Sequence, residues 1–383
     1  MKNIVNLGNV ATYINGYAFK PSDWAEDGTP IIRIQDLTGN SYQMNRFKGI
    51  VDSKYEVNNG DVLISWSASL GVYIWNRGDA VLNQHIFKVV FDKVELDKDF
   101  FVFQVDNLLK RAANQAHGAT MRHLTKPVFD ALPFYLPDIK TQRLISSKLS
   151  LIGHLIEDHH NQLKKFDELI RSRFLEMFGN MIHVSSGFRE MTLEEVCRKN
   201  GDVRCGPFGT QLSKSDYLDS GVPVWGIPEI NSGFQIRASD YISKEKANLL
   251  SLYSIISGDI VMSRKGNVGK CEIYPSGYPV GIMHSDVLRI RVNKDLVNPT
   301  FLKYQFHFSE RIKHQIGIVS HGAIMAGINV TKLKNINVLL PAINRQNQFS
   351  EFIHQVDKSK MAVQKSLDEL ETLKKSLMQT YFG

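Results

Sequence analysis

Apolar residues recur every three to four positions across two long stretches of the chain, and the two stretches keep the same register. With heptad position a at Ile145, Ile152, His159, Phe166 and Arg173, position d falls at Leu149, Ile156, Leu163, Ile170 and Met177. In the second stretch, a falls at Phe349, Val356, Val363, Leu370 and Leu377, and d at Ile353, Lys360, Leu367, Lys374 and Tyr381. A 3.5-residue repeat held over about five heptads predicts a coiled coil, each helix about 40 residues long and about 60 Å in length. His159, Arg173, Lys360 and Lys374 interrupt the seam. Their expected role is to lie along the coil margin with their charged ends in solvent; a polar core residue that sets register is the alternative.

The remaining sequence alternates short strand-like runs with turns. Pro30 to Ile34, Val62 to Ser65, Tyr73 to Trp75 and Ile86 to Phe91 are β-branched or aromatic runs bounded by Gly, Asn and Asp. They predict strands, as do Val222 to Ile227, Asp259 to Ser263, Cys271 to Tyr274 and Val287 to Val292. Phe100 to Ala113 and Pro299 to Gln315 predict helices.

These two sets of elements are one set written twice. Leu136-Pro137, Ile139 and Gln142 return as Leu340-Pro341, Ile343 and Gln346, each 204 positions on (340 minus 136). Phe178-Gly179 returns as Phe382-Gly383, and His117-Gly118-Ala119 as His321-Gly322-Ala323, at the same spacing. Gly28-Thr29-Pro30 pairs with Gly221-Val222-Pro223 at 193, and the Gly60-Asp61 to Ser65 strand with Gly258-Asp259 to Ser263 at 198. The stepwise growth in spacing describes a common scaffold with insertions in its loops.

The expected fold is therefore α+β: two similar mixed α/β domains joined by two long antiparallel coiled-coil helices, with an internal pseudo-two-fold repeat. The expected domains are residues 1–135, a central helix 136–179, residues 180–339 and a C-terminal helix 340–383, with a short link from Gly179 to Gly187.

Composition narrows the chemistry. Lysine and arginine outnumber aspartate and glutamate by 46 to 39 in 383 residues, a net charge of +7, which favours an anionic partner, nucleic acid first. Cys197, Cys205 and Cys271 are scattered and build neither a disulfide framework nor a zinc site. No apolar run reaches membrane-spanning length and the N-terminus has no signal-peptide core, so a cytoplasmic protein is expected. No reaction centre is found, and no cofactor is expected. GxGxxG, GxxxxGK[ST] and HExxH are all absent. Gly266 to Lys270 lies between two expected strands and reads as a hairpin turn. Asn298-Pro299-Thr300-Phe301 is similar to an amino-methyltransferase element but lacks its second proline, and reads as a helix start.

The order, duplication and spacing of these motifs resemble the DNA-specificity subunits of Type I restriction-modification systems, over about residues 3 to 383. The resemblance implies two target-recognition domains, each reading one half of a bipartite, asymmetric sequence in double-stranded DNA. It implies a coiled-coil spacer that docks two methyltransferase subunits, with motor-nuclease subunits joining the complex. Catalysis, adenine methylation and ATP-dependent cleavage would belong to those partners. A separately encoded specificity module of another methyltransferase or nuclease system, and a non-catalytic coiled-coil scaffold with two binding domains, are the alternatives.

Candidate DNA contacts are polar and basic residues beside the shared landmarks: Arg33, Gln35, Lys54, Ser67, Gln84, His85, His117, Thr120, Arg122 and His123 in the first copy. The second copy offers Arg204, Gln211, Lys214, Arg264, Lys265, His284, Arg289, His321 and Asn329. Arginine and lysine suit guanine edges or phosphates, glutamine and asparagine suit adenine. The loop after Ser65 and after Ser263 is ranked first, and the segment just before the helix-entry motif second. His-Gly-Ala serves equally well as a turn required by the fold.

Overall fold

The computed structural model describes residues 3–40, 43–115, 124–182, 187–199, 202–266, 268–320 and 327–383. The chain forms two compact units. Unit 1 comprises residues 1–160 and 365–383, unit 2 residues 161–364. The two long helices, Ile139–Phe178 and Ile343–Phe382, have 40 residues each, and each contributes one part to either unit.

In unit 1 the strands form three sheets. Ile4–Asn6 pairs with Pro133–Tyr135; Thr12–Asn15, Ile86–Val90, Val62–Ser65 and Gly71–Ile74 form a four-stranded antiparallel sheet; five short strands form the third. Unit 2 repeats the first two arrangements. Arg189–Thr192 pairs with Asn337–Leu340, and Val203–Cys205, Val287–Ile290, Ile260–Ser263 and Cys271–Ile273 form the four-stranded sheet. Its third sheet has four strands rather than five.

The Gly-Asp strand is built alike in both. Gly60 (φ +93°) and Gly258 (φ +89°) turn the chain in the left-handed region that favours glycine. Asp61 and Asp259 then close the turn, each accepting a backbone N–H three residues back, from Asn58 and Ile256, at 2.9 Å. The Gly266–Lys270 segment joins two antiparallel strands, and Asn298 caps the Pro299–Phe308 helix by accepting the Thr300 N–H at 2.9 Å. The helix expected over Pro299–Gln315 breaks at the buried Ser309 into Pro299–Phe308 and Glu310–Ser320. Its unit 1 counterpart, Lys98–Gln115, is continuous.

Each hydrophobic core includes the long helices. In unit 1, Ile145 and Leu149 pack with Phe100, Phe101, Phe134 and Phe382. In unit 2, Ile170, Phe174 and Phe178 pack with Phe301, Phe349, Ile353 and Val356. Within unit 1 the start of the first long helix therefore meets the end of the second, and within unit 2 the end of the first meets the start of the second: the pairing is antiparallel in both. Ile152 and Leu367 are buried; Ile156, Leu163, Phe166, Val363, Leu370 and Leu377 are half-buried.

The heptad assignment drifts at one end. Phe174 and Phe178 are buried, one position beyond Arg173 and Met177, the heptad a and d positions assigned from sequence. A straight helix turns every 3.6 residues, so after four heptads the buried stripe has moved round by about one position. Arg173 instead pairs with Glu176 at 2.8 Å and lies over the Phe352 ring. Lys360 reaches Asp167 at 2.6 Å. His159 is tied in place, Nδ1 to the Leu155 carbonyl at 2.8 Å and Nε2 to Ser366 Oγ at 3.0 Å.

Candidate nucleic-acid interface

The two loops ranked first by sequence are framed by the same backbone bonds in both units. Beyond Ser65, the Trp66 carbonyl accepts the N–H of Leu124 at 3.1 Å, and the Trp66 N–H donates to the His85 carbonyl at 3.4 Å. Beyond Ser263, the Arg264 carbonyl accepts the N–H of Ile328 at 3.0 Å, and the Arg264 N–H donates to the Asp286 carbonyl at 3.0 Å. Buried Ser65 and Ser263 turn the loop by donating to the carbonyl two residues on, Ser67 at 3.2 Å and Lys265 at 2.5 Å. The loop after the strand is thus held against the segment that precedes the helix entry, and the two regions singled out from sequence meet.

A glycine lies beneath each site. A Cβ on Gly16 would stand 2.1 Å from the Asn83 carbonyl oxygen, and one on Gly206 would stand 2.1 Å from the His284 carbonyl oxygen. No side chain fits there.

The side chains in the shared frame differ. In unit 2, Arg264, Lys265, Asn329 and Lys332 line a cleft of 290 Å³ together with Gly327 and Ile328. Arg264 lies over the Phe208 ring, 4.9 Å from its centroid, and reaches the Ser285 carbonyl at 3.4 Å. Exposed Lys265 pairs with Asp286 at 2.8 Å. Lys332, which the sequence reading missed, enters the cleft because Asn329 caps the short Val330–Lys334 helix, accepting the Lys332 N–H at 2.8 Å. Three cations around one cleft suit a phosphate or a guanine edge. In unit 1 the positions equivalent to Arg264, Lys265 and Asp286 are Trp66, Ser67 and His85. Trp66 stacks on Phe87, 5.6 Å between ring centroids, and its indole N–H donates to Asn15 at 3.3 Å. His85 meets Trp66 edge-on at 5.0 Å. His85 is a non-glycine residue at φ +73°, and its buried Nδ1 has no hydrogen-bond partner among the described residues. Strain and an unsatisfied polar atom at one residue are characteristic of functional positions.

The other candidates fall in several places. Arg33 lies over Trp24 and donates to Gln35 at 2.7 Å. Lys54 is exposed and paired with Asp52 at 3.0 Å. Ser67 is buried, and Gln84 is half-buried with its N–H donating to Tyr17. Arg204 lies over Tyr253, whose hydroxyl donates to Gln211 at 3.0 Å. Lys214 is exposed, and His284 Nδ1 accepts the Asp286 N–H at 3.2 Å. Arg289 has to be withdrawn. It is 3% exposed, and its guanidinium donates to the carbonyls of Ser254 (2.6 Å) and Leu252 (3.4 Å), so it holds unit 2 together. Burial, with Arg291 nearby, lowers its pKa to about 10. Strand periodicity could have flagged it, since Val287, Leu288 and Ile290 around it are all buried. His117, Thr120, Arg122, His123 and His321, with both His-Gly-Ala triplets, lie outside the described residues. Among the described residues no group of three or more His, Cys, Asp or Glu side chains could hold a metal ion, and no helix is long and apolar enough to cross a membrane.

Two repeats of one α+β unit, each closing on a 40-residue helix and each holding a differently charged loop in the same frame, define a two-site recognition protein. The chain belongs to the Type I restriction modification DNA specificity domain family, whose profile matches residues 2–165 and 185–372. It is 22% identical to the Type I restriction enzyme EcoBI specificity subunit of Escherichia coli, over 99% of this chain and 85% of that one. It is also 22% identical to the MjaVIII specificity subunit of Methanocaldococcus jannaschii, over 98% and 90%. The fold matches the crystal structure of the Type I restriction-modification S subunit from M. genitalium with a TM-score of 0.60, at 14% identity over 100% of this chain and 96% of that one. A chain from a structural study of complex assembly and conformational transition in the type I restriction-modification system matches with a TM-score of 0.60, at 15% identity over 99% and 97%.

Proposed function

We propose that this specificity subunit reads a split, asymmetric target in double-stranded DNA, one half-site per unit, and that its long helices set the spacing and dock methyltransferase subunits. The observation that carries this reading is the shared loop frame with unlike contents: Trp66, Ser67 and His85 in unit 1, against Arg264, Lys265 and Asp286 in unit 2. Equal frames present their loops alike, and unequal side chains read different bases. The target is then two unlike half-sites rather than a palindrome, and motor-nuclease subunits join through the methyltransferases.

Methyltransferase docking is supported by a second apolar stripe on the first long helix in unit 1. Leu144, Leu151 and Leu155 are 54%, 60% and 37% exposed, at spacings of seven and four, the pattern of an unoccupied helix-packing face. Catalysis in this reading belongs to the partners, in the cytoplasm.

Modified-base sequencing of DNA from cells expressing this chain with its neighbouring methyltransferase gene tests the proposal. The expected result is methylation at a split, asymmetric motif that disappears when this chain is deleted. A methylated motif that survives the deletion would refute it.

A further inference from the structure

In unit 1 the strand Thr12–Asn15 ends on Asn15, and in unit 2 the strand Val203–Cys205 ends on Cys205, each one residue before the glycine that admits no side chain. The two strand ends are fixed alike. The Gly16 N–H donates to the Ile86 carbonyl at 3.1 Å and the Gly206 N–H to the Val287 carbonyl at 3.0 Å. Asn15 lies opposite Phe87, and Cys205 opposite Leu288, in the antiparallel pairing.

At this one position each unit carries an acceptor for the first side chain of its loop. Asn15 Oδ1 accepts the Trp66 indole N–H at 3.3 Å, and Cys205 Sγ accepts from Arg264 Nη1 at 3.4 Å. The Cys205 thiol directs its own proton to the Ser285 carbonyl at 3.3 Å, and that carbonyl also accepts from Arg264 Nη1 at 3.4 Å. An aromatic face backs each loop side chain as well, Phe87 behind Trp66 and Phe208 behind Arg264. Donor and acceptor both differ between the units, but the geometry that joins them is the same. Both acceptors are also neutral. Burial raises the Cys205 thiol above its ordinary pKa, which the guanidinium beside it offsets only in part, so the sulfur keeps its proton. Arg264 is therefore aimed without losing its charge, whereas Lys265 is paired with the Asp286 carboxylate.

Resting on the DNA reading, we propose that Asn15 and Cys205 are the positioning residues of the two half-sites, each fixing the direction of the loop side chain in front of it. Both bonds of Arg264 fall on Nη1, so its Nη2 and Nε edge presents the fork that suits a guanine. The indole of Trp66 has a single N–H; with that N–H held by Asn15, Trp66 reads through its ring, by apolar contact of the kind a thymine methyl group offers.

The chain is co-expressed with its neighbouring methyltransferase gene, and the purified complex selects duplexes from a randomised DNA library over a salt series. Cys205→Ala should lower discrimination at one base pair of one half-site about tenfold, the size of one lost bidentate contact. The salt slope should stay unchanged, because Arg264 keeps its charge. Cys205→Ser, whose hydroxyl also donates and accepts, should restore the parental choice. Asn15→Ala should relax the other half-site alone. Thermal melting confirms that the variants are folded. Unchanged base choice in Cys205→Ala and Asn15→Ala overturns the proposal while the DNA reading stands, and so does equal relaxation of both half-sites by either variant. A parent complex that selects no motif defeats the DNA reading, and the proposal with it. A second measurement needs no DNA. With isotope-labelled tryptophan, the NMR signal of the Trp66 indole N–H, assigned by its loss in Trp66→Phe, should move in Asn15→Ala; a signal that stays in place overturns the proposal by itself.

Discussion

The side-chain carbonyl of Gln346 accepts the backbone N–H of Asn298 at 2.9 Å. Its amide donates to the Pro341 carbonyl at 2.8 Å and the Leu296 carbonyl at 3.3 Å. Gln142 repeats this in unit 1 with Asp97 (2.9 Å), Pro137 (2.9 Å) and Glu95 (3.4 Å). Both glutamines are buried, at 0% and 1% exposure. Each fastens the first turn of a long helix to the turn that opens an earlier helix of the same unit, Lys98–Gln115 in unit 1 and Pro299–Phe308 in unit 2. Replacing Gln346 by Leu strands a buried N–H and two carbonyls, each lost partner costing about 1–3 kcal/mol. Gln346→Leu should therefore lower the stability of unit 2, and Gln142→Leu that of unit 1, by several kcal/mol, read by hydrogen exchange resolved by segment.

Arg264 and Lys332 should act on affinity through charge. Arg264→Ala or Lys332→Ala is expected to weaken DNA binding by about 1–3 kcal/mol, and loss of a phosphate contact should flatten the slope of log affinity against log salt by about 1. Trp66→Ala should instead alter base preference at the other half-site with the slope unchanged. Fluorescence anisotropy over a salt series separates these outcomes. Arg289→Ala should leave the slope unchanged and destabilise unit 2.

Phe174 and Arg173 are neighbours with opposite expected costs. Phe174 is fully buried among Phe178, Phe301, Phe308 and Phe349, and Phe174→Ala should cost about 3–5 kcal/mol. Arg173 makes a surface pair with Glu176, and Arg173→Ala should cost under about 1 kcal/mol. Equal costs in denaturant unfolding would mean that the seam follows the heptad rather than the true helical turn.

His307 makes stability depend on pH. Burial, reinforced by Lys303, lowers its pKa to about 4, and its Nε2 accepts the Cys271 N–H at 3.3 Å, which requires the neutral ring. The unfolded chain binds a proton near pH 6.5 and the folded one does not. The contribution is therefore complete above about pH 6.5 and declines as pH falls toward 4, by roughly 3 kcal/mol in all. Unfolding curves across that range should converge for His307→Gln and wild type at low pH and separate above pH 6.5.

The repeat made much of the molecule legible. The Leu-Pro, Ile and Gln spacing located both long helices because Gln142 and Gln346 each perform one bonding task in one place. The strand from Gly60 and Gly258 was visible because its turn requires glycine followed by a carboxylate. What escaped was settled by packing at a distance. Arg289 looked like a free cation until its strand neighbours and the carbonyls of Leu252 and Ser254 enclosed it. Lys332 gained its place only when Ile328 was fastened to Arg264. The break at Ser309 has no helix-breaking residue to announce it and coincides with a backbone bond that the Glu310 N–H donates to the Asn180 carbonyl.

The bonds from Trp66 to Leu124 and from Arg264 to Ile328 join main chain to main chain. The fastening is therefore indifferent to which side chains the loop carries. The groups that make these bonds are present in every amino acid but proline, which lacks the N–H, so a change of side chain at Trp66 or Arg264 leaves the fastening groups in place. A chain fastened in this way can change the side chains its loops present while the main-chain bonds that place those loops persist, so that what the loop carries and where it is held are inherited separately.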